Sequence, residues 1–508
     1  MKIFFLTLIG VLIHSVTWAN DGREVYMKHC SSCHHLERYG IKAPPLIPET
    51  LKGYSKEDIS RIIRDGLPAT QMPSYSGILG NDEINNIVSY ITQPVSEVKW
   101  GSKEISESRE AFSNSETGIT GAGLHNAYSL VREYRLEDLN NLRGKSGFDH
   151  ENITLVVESG RGIAVMDGDK FSVLDTFQVG AIHGGPKFSH SLHFVYAPAR
   201  DGAIIKYDLN KLKVASKVRA GINTRNIAIS HDDQYIAVAN NLPDNITILD
   251  ADLNPVKIIA ADGRIAGVYL LDNDKLFICS FRDKNELWFI DYQRNFRVEK
   301  VDLPEPFEDM AISPFGNIII GASRKSETVF IYDISRRMIL NSFSTNGMPH
   351  LASATFWSDE KGVRYAAINH LKVPALTIIN LDKWNVVKEI KLAGSGYFVR
   401  THQTTPYIWV DTNSEAIQLI DKKDLKIVTD IVPAKGKKAM HTEFSKDGRY
   451  AMVSLWEDDG AVIIYDANSL NEIKRIPFRK PAGKYNAVNK TFPDMRYYTN
   501  KRTVVLGE

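Results

Sequence analysis

Short apolar runs that end in an acid or an amide recur along most of the chain. They are Ile163–Asp167, Ile204–Asp208, Ile246–Asp250, Leu287–Asp291, Val329–Asp333, Leu376–Asn380, Ile417–Asp421 and Val462–Asp466. Their last residues lie 41, 42, 41, 42, 47, 41 and 45 positions apart. Another strand-like run precedes each, such as Tyr235–Ala239, and a turn with a further strand follows. Four short strands per unit at this period is the pattern of propeller blades. Eight units predict an all-β eight-bladed propeller over residues 151–508. The first unit begins at Glu151 with its second strand, so its innermost strand is missing there. Residues 485–489, after the last unit, can supply it and close the ring. A sandwich array would not need this complementary trimming of the two ends.

The first hundred residues follow a different period. The run from Glu24 to Cys30 reads as a helix. So does Asp82–Ile91, with acids at its start and apolar residues at i, i+3 and i+4. A small all-α domain over 20–95 is predicted. Before it stand Met1-Lys2, an apolar run from Ile3 to Ile13, and small residues ending at Ala19. That order predicts a signal peptide at 1–19, cut after Ala19, and export to the periplasm. The run is too short to span a bilayer. Residues 96–150 lose the pattern. Ser102–Ser115 is charged and serine-rich, Gly118–Gly123 is small, and a linker or arm is expected.

Charge is balanced, with 62 basic and 61 acidic residues, which speaks against a nucleic-acid footprint or a polybasic membrane anchor. The three cysteines are too few for a disulfide-built exported protein. Cys279 lies in an apolar strand and reads as a small buried hydrophobe. Cys30-Ser31-Ser32-Cys33-His34 has the spacing of covalent c-type haem attachment, with His34 as an iron ligand. Met72, before Pro73, is the candidate second axial ligand. Met27, His29 and His35 lie close by and receive no role. This arrangement resembles the class I cytochrome c fold.

In a propeller the innermost strands line a central channel. Sixteen to twenty positions after seven of the eight run-ending residues come His183, Arg225, Asp309, His350, Phe398, His441 and Tyr485. A shared register in a ring predicts one shared mouth. Histidines, an arginine and a tyrosine there suit a large ligand that carries a metal and anionic groups.

A cytochrome c domain before an eight-bladed propeller resembles the cytochrome cd1 nitrite reductase family. The resemblance is carried by Ala181-Ile182-His183-Gly184-Gly185, Arg200-Asp201-Gly202, Tyr207-Asp208-Leu209, Phe444-Ser445-Lys446-Asp447-Gly448 and Gly483-Lys484-Tyr485-Asn486. It implies that the propeller binds haem d1, with His183 on the iron and Arg200 and Arg225 on its carboxylates. The nitrite reductases set two distal histidines over the iron. His350 matches one, while the segment expected to carry the other reads Leu270-Leu271-Asp272-Asn273-Asp274. His441 stands where the reductases have a non-basic residue, and Tyr485 replaces an aromatic residue without a hydroxyl. These departures resemble the family's dihydro-haem d1 dehydrogenases. The resemblance then implies oxidation of a propionate to an acrylate, with His441 as base, Tyr485 as second acceptor or orienter, and electrons leaving through haem c. It implies a soluble periplasmic electron acceptor, and as partners the nitrite reductase and NirF. NirF itself normally lacks the covalent haem domain seen in residues 20–95. Alternatives are a nitrite reductase with permanent haem d1, and a non-enzymatic d1 carrier.

Overall fold

The computed structural model describes residues 17–492, apart from 41–42, 44, 52–53, 67–71, 96–99, 112–146, 160–161 and 272–274. The apolar run Ile3–Ile13 and most of the expected arm lie outside the described residues. The first helix is Thr17–His29, longer than the predicted Glu24–Cys30. The helix Lys56–Asp65 starts at a reciprocal cap, in which the Ser55 hydroxyl accepts from Asp58 N–H at 3.0 Å and the Asp58 carboxylate accepts from Ser55 N–H. Its Ile59 and Ile63, one turn apart, are buried. In Asn81–Ile91 the buried face is Ile84, Ile87, Val88 and Ile91, the spacing of an amphipathic helix. These residues, with Tyr26, Cys30 and Leu79, form one core, and Met72, Leu46 and Leu51 pack against it.

Eight antiparallel sheets of four strands follow, and one of them gains a fifth strand from Glu110–Ala111. The repeated acid or amide at the end of each run has a local cause. Its side chain accepts backbone N–H groups two or three residues on, as Asp167 does from Asp169 and Lys170, and Asn380 from Asp382 and Lys383. That bond closes the turn into the outermost strand. The second and third strands of a blade are almost wholly buried between neighbouring blades, as in Gly162–Asp167 and Ala203–Asp208. The outermost strands, such as Arg297–Asp302, are mostly exposed.

Blades are numbered here from the one that holds Ile153–Glu158. Its inner strand is the C-terminal strand Pro481–Asn486, with Leu155 opposite Tyr485, so the two ends of the domain close the ring. The closing strand starts and stops earlier than the predicted 485–489. Asn486 caps the short helix Ala487–Thr491 by accepting from Asn489 N–H, which ends the strand.

The helical domain rests on the rim of blade 3. Ile47 is buried with Ile222 and Leu242, and Tyr39, Val95 and Trp100 pack around them. Part of the expected linker is a strap. Trp100 donates its indole N–H to Arg219 O at 3.0 Å, Ile105 is buried among Tyr196, Ile204 and Val218, and Glu110–Ala111 pairs with Ser216 and Lys217. Leu242 lies opposite Asn223, where the inner strand of blade 3 begins, so this contact sits at the mouth of the channel.

Candidate functional site

Two places carry the chemistry-bearing residues. In the helical domain, Cys33 N–H and His34 N–H both donate to Cys30 O, which curls the motif into one turn. Cys30 and His34 are buried, and burial pushes the Cys30 thiol up to about 11. The Met72 loop is pinned from two sides: Tyr75 Oη donates to His29 O at 2.9 Å, and Ser74 Oγ to Arg64 O at 2.7 Å. Met72 packs on the cluster that contains Cys30. Two thiols, an imidazole and a thioether around one apolar core are a donor set that fits a c-type haem.

At the channel mouth, His183 stands in the loop before the inner strand of blade 2. Its Nδ1–H donates to Arg225 O at 2.8 Å, which leaves the lone pair on Nε2. The Arg225 guanidinium meets that Nε2, and its Nε donates to Ala266 O at 2.8 Å. Burial and Arg225 hold the His183 imidazole neutral, well below its usual range. Gly184 and Gly185, both with positive φ, let the loop lie flat between blades. A Cβ on Gly184 would meet Asn226 Cβ at 2.5 Å, and one on Gly185 the Tyr485 ring at 2.6 Å. Arg200 N–H donates to Ala181 O, which sets Arg200 beside the same loop.

Across the mouth, His350 donates from Nδ1 to Tyr397 O at 2.8 Å. Its ring faces Phe398 at 6.4 Å, Phe398 faces His441 at 4.5 Å, and His441 faces Tyr485 at 5.6 Å. Blades 6, 7, 8 and 1 therefore present one continuous arc of rings. Buried polar side chains hold the arc in place. Asp309 accepts from Leu351 and Ala352 N–H after His350. Asn369 donates to Gly396 O. Asp411 accepts from Tyr397, Phe398 and His441 N–H at 2.6, 3.1 and 3.3 Å, and burial pushes its carboxyl up to about 6.

His441 is fully buried, at a bulge with φ 48, and its Nδ1 accepts from Lys484 N–H at 3.3 Å. Burial, Lys484 and Arg400 keep it neutral, well below the usual histidine range. Burial pushes the Tyr485 phenol up to about 12, so it stays a hydroxyl donor.

The geometry refines the single register read from the sequence into two tiers. Tyr485 lies opposite the third residue of the neighbouring strand, as do Lys187, Arg400, Glu443 and Tyr269 in their blades. Arg225 and His441 lie nearer the mouth, at bulges. The segment searched for a second distal histidine sits at the wrong end of its strand. Leu271 pairs with Leu276 beside the hairpin, whereas Ala266, at the other end, receives the Arg225 bond. Asp272, Asn273 and Asp274 lie outside the described residues. Among the described residues, Ala266, Asp309 and Phe398 stand at the mouth positions of blades 4, 5 and 7. Sequence reading missed Lys187, Arg400, Glu443, Lys484 and Lys490. Arg400 and Glu443 were within reach of it, since each lies two residues beyond a mouth residue on a strand of period two.

Residues 148–490 match the family model described as cytochrome D1 heme domain, and residues 18–91 match cytochrome C oxidase, cbb3-type, subunit III. The chain is 35% identical over 508 residues to Dihydro-heme d1 dehydrogenase of Pseudomonas aeruginosa, covering 96% of this chain and 98% of the relative. It is 21% identical to Nitrite reductase of Stutzerimonas stutzeri, covering 92% of each. The solved structure of dihydro-heme d1 dehydrogenase NirN in complex with DHE superposes with a TM-score of 0.78 at 35% identity, over 93% of this chain and 100% of that one.

Proposed function

Since the chain belongs to the family built on the cytochrome D1 heme domain, with a dihydro-heme d1 dehydrogenase similar along its whole length, we propose that it is an exported dihydro-haem d1 dehydrogenase. The reaction converts one propionate side chain of the tetrapyrrole into an acrylate. Two protons and two electrons leave adjacent carbons. The observation that carries this reading is the His441–Tyr485 ring contact at 5.6 Å, with the Tyr485 ring against Gly185. An imidazole and a phenol in contact, from neighbouring blades, can serve proton transfer at a side chain of a bound macrocycle.

His183 is suited to the iron, because its Nδ1–H is held by a carbonyl and orients Nε2; the Arg225 guanidinium that meets Nε2 in the free protein would turn to a ligand carboxylate on binding. Arg225 and Arg200 take the ligand's carboxylates. His441 accepts a proton from the side chain. Its Nδ1 accepts from Lys484 N–H, so adopting the tautomer with a free Nε2 removes that acceptor and costs about 1–3 kcal/mol, within what a general base worth about 10²–10⁴-fold can offset. The carboxylate of the bound side chain supplies the negative charge that His441 lacks in the free protein. Tyr485, held as a hydroxyl, orients that side chain.

Cys30 and Cys33 would hold one covalent haem c, with His34 and Met72 available to its iron, and that haem would supply a one-electron acceptor. The burial of Ile47 at the channel mouth supports an electron exit through this domain to a soluble periplasmic acceptor. The product would pass to a cytochrome cd1 nitrite reductase, with NirF acting in the same route.

The test is to incubate the purified protein with dihydro-haem d1 and ferricyanide and follow the tetrapyrrole by mass. Loss of two hydrogens is the expected result. Tight binding with unchanged mass would replace this reading with that of a d1 carrier, and nitrite turnover with bound d1 would replace it with that of a nitrite reductase.

A further inference from the structure

Beneath the ring arc lies a second set of charged side chains that the reaction as described does not use. Arg400, Glu443, Tyr485 and Lys187 occupy one depth in blades 7, 8, 1 and 2, each opposite the third residue of its neighbouring strand: Trp409, Met452, Leu155 and Tyr196. The helix Ala487–Thr491 brings Lys490 into the same space, 5.1 Å from the centre of the Tyr485 ring. That helix packs on the strand Lys187–Phe188, which brings the Lys490 and Lys187 side chains into one neighbourhood.

Positive charge exceeds negative charge here. Lys484 ends on Ser454 Oγ. Asp411 is taken up by three backbone N–H groups, and one oxygen of Glu443 by Phe444 N–H and Asn489. Two neighbouring, half-buried amines are costly to hold both as ammonium unless an anion joins them. In the free protein, burial and mutual repulsion accordingly push the Lys490 amine far down. A carboxylate, with two oxygens for two amines, is the group that fits.

Resting on the function proposed above, we propose that Lys187 and Lys490 clamp the carboxylate of the side chain that is oxidised. The chemistry requires such a clamp. Breaking the C–H bond next to a carboxylate sends its proton to His441 and leaves a second negative charge on that carboxylate. Fixed cations at that point lower the barrier. The C–H bond of the neighbouring carbon then breaks, the carbon–carbon double bond forms, the second proton leaves to solvent, and two electrons pass to a one-electron oxidant supplied in two equivalents. The clamp also selects the substrate, since a side chain without a terminal carboxylate leaves the amines unpaired.

Two measurements on the haem-loaded protein test this. The first is single-turnover oxidation of dihydro-haem d1 at saturating enzyme by the Lys187→Gln and Lys490→Gln variants, with thermal unfolding and the haem c spectrum as fold controls. The rate should fall about 10²-fold, the loss typical of a donor that stabilises developing charge, while the tetrapyrrole still binds. Lys490→Arg should recover part of the rate. The second is reductive methylation of the wild-type protein, read by peptide mass, with and without bound tetrapyrrole. Lys187 and Lys490 should be protected at least tenfold by the ligand. Wild-type rates in both glutamine variants, weaker binding with an unchanged rate, or equal labelling in both states would each overturn the clamp. Should the wild-type protein fail to remove two hydrogens, the functional reading falls, and the labelling result alone still judges the carboxylate site.

Discussion

At the scale of single residues, the site turns on what keeps each titratable group in its form. His441 is neutral because it is buried and faces Lys484 and Arg400. His441→Ala should cut single-turnover oxidation by about 10²–10⁴-fold with substrate still bound. His441→Gln separates two roles. Glutamine donates a hydrogen bond but accepts no proton, so a rate as low as that of the alanine variant marks a base, and substantial rescue marks a donor. Tyr485→Phe should lose less, about tenfold, because the phenol only orients. Asp411 has a sign that can be worked out. Its folded pKa, about 6, exceeds the usual carboxylate value of 3.8, so its protonated form favours the fold. That contribution is present below pH 3.8 and is lost as pH rises to about 6. Chemical denaturation of wild type and Asp411→Asn across pH 4–7 should show the wild type losing about 3 kcal/mol relative to the variant in this window, with no further change above it. Met72→Ala should abolish the weak methionine-to-iron absorption band of the haem c, and a persisting band would assign the ligand elsewhere.

At the scale of elements, the closing strand is the exposed dependence of the fold. Pro481–Asn486 supplies the inner edge of blade 1, and Tyr485 stands on it. Ending the chain before Gly483 would strip Val156 and Leu155 of their ladder partners and open the ring. A truncated protein should melt far below the full chain and lose tetrapyrrole binding; an unchanged melting curve would refute closure as a source of stability. The blades were legible because each run ends in a residue whose side chain closes the next turn, a purely local interaction. The last element was displaced in the reading because Asn486 could extend the strand or cap a helix, and the chain settles that only once Asn489 lies under it. Likewise sequence spacing alone does not say which end of a strand faces the mouth, and Leu271 pairs with Leu276 at the hairpin end, away from Ala266.

At the scale of the whole molecule, the helical domain and the propeller meet where the ligand site opens. Ile47, buried against Ile222 and Leu242, is the centre of that contact. Ile47→Asp would bury a charge there and should weaken docking by about 2 kcal/mol or more. Rapid-mixing measurements should then show slower reduction of haem c by bound dihydro-haem d1, with the haem spectrum itself unchanged. Equal rates in variant and wild type would mean that this contact plays no part in electron exit.

The sequence by itself determined the helical domain before the propeller, the number of blades and the Cys30–His34 motif, and it pointed to several of the residues that gather at the mouth. All of these rest on patterns that repeat within a few residues or at a fixed period, so local chemistry reveals them. Only the tertiary structure decided that Tyr485 lies a tier below His441, that Arg225 meets His183, that Asp411 serves three backbone groups in two blades, and that Lys187 and Lys490 come together from distant parts of the chain. Their contacts join blades, so they depend on strand depth and side-chain direction in a closed ring, which no one stretch of sequence encodes.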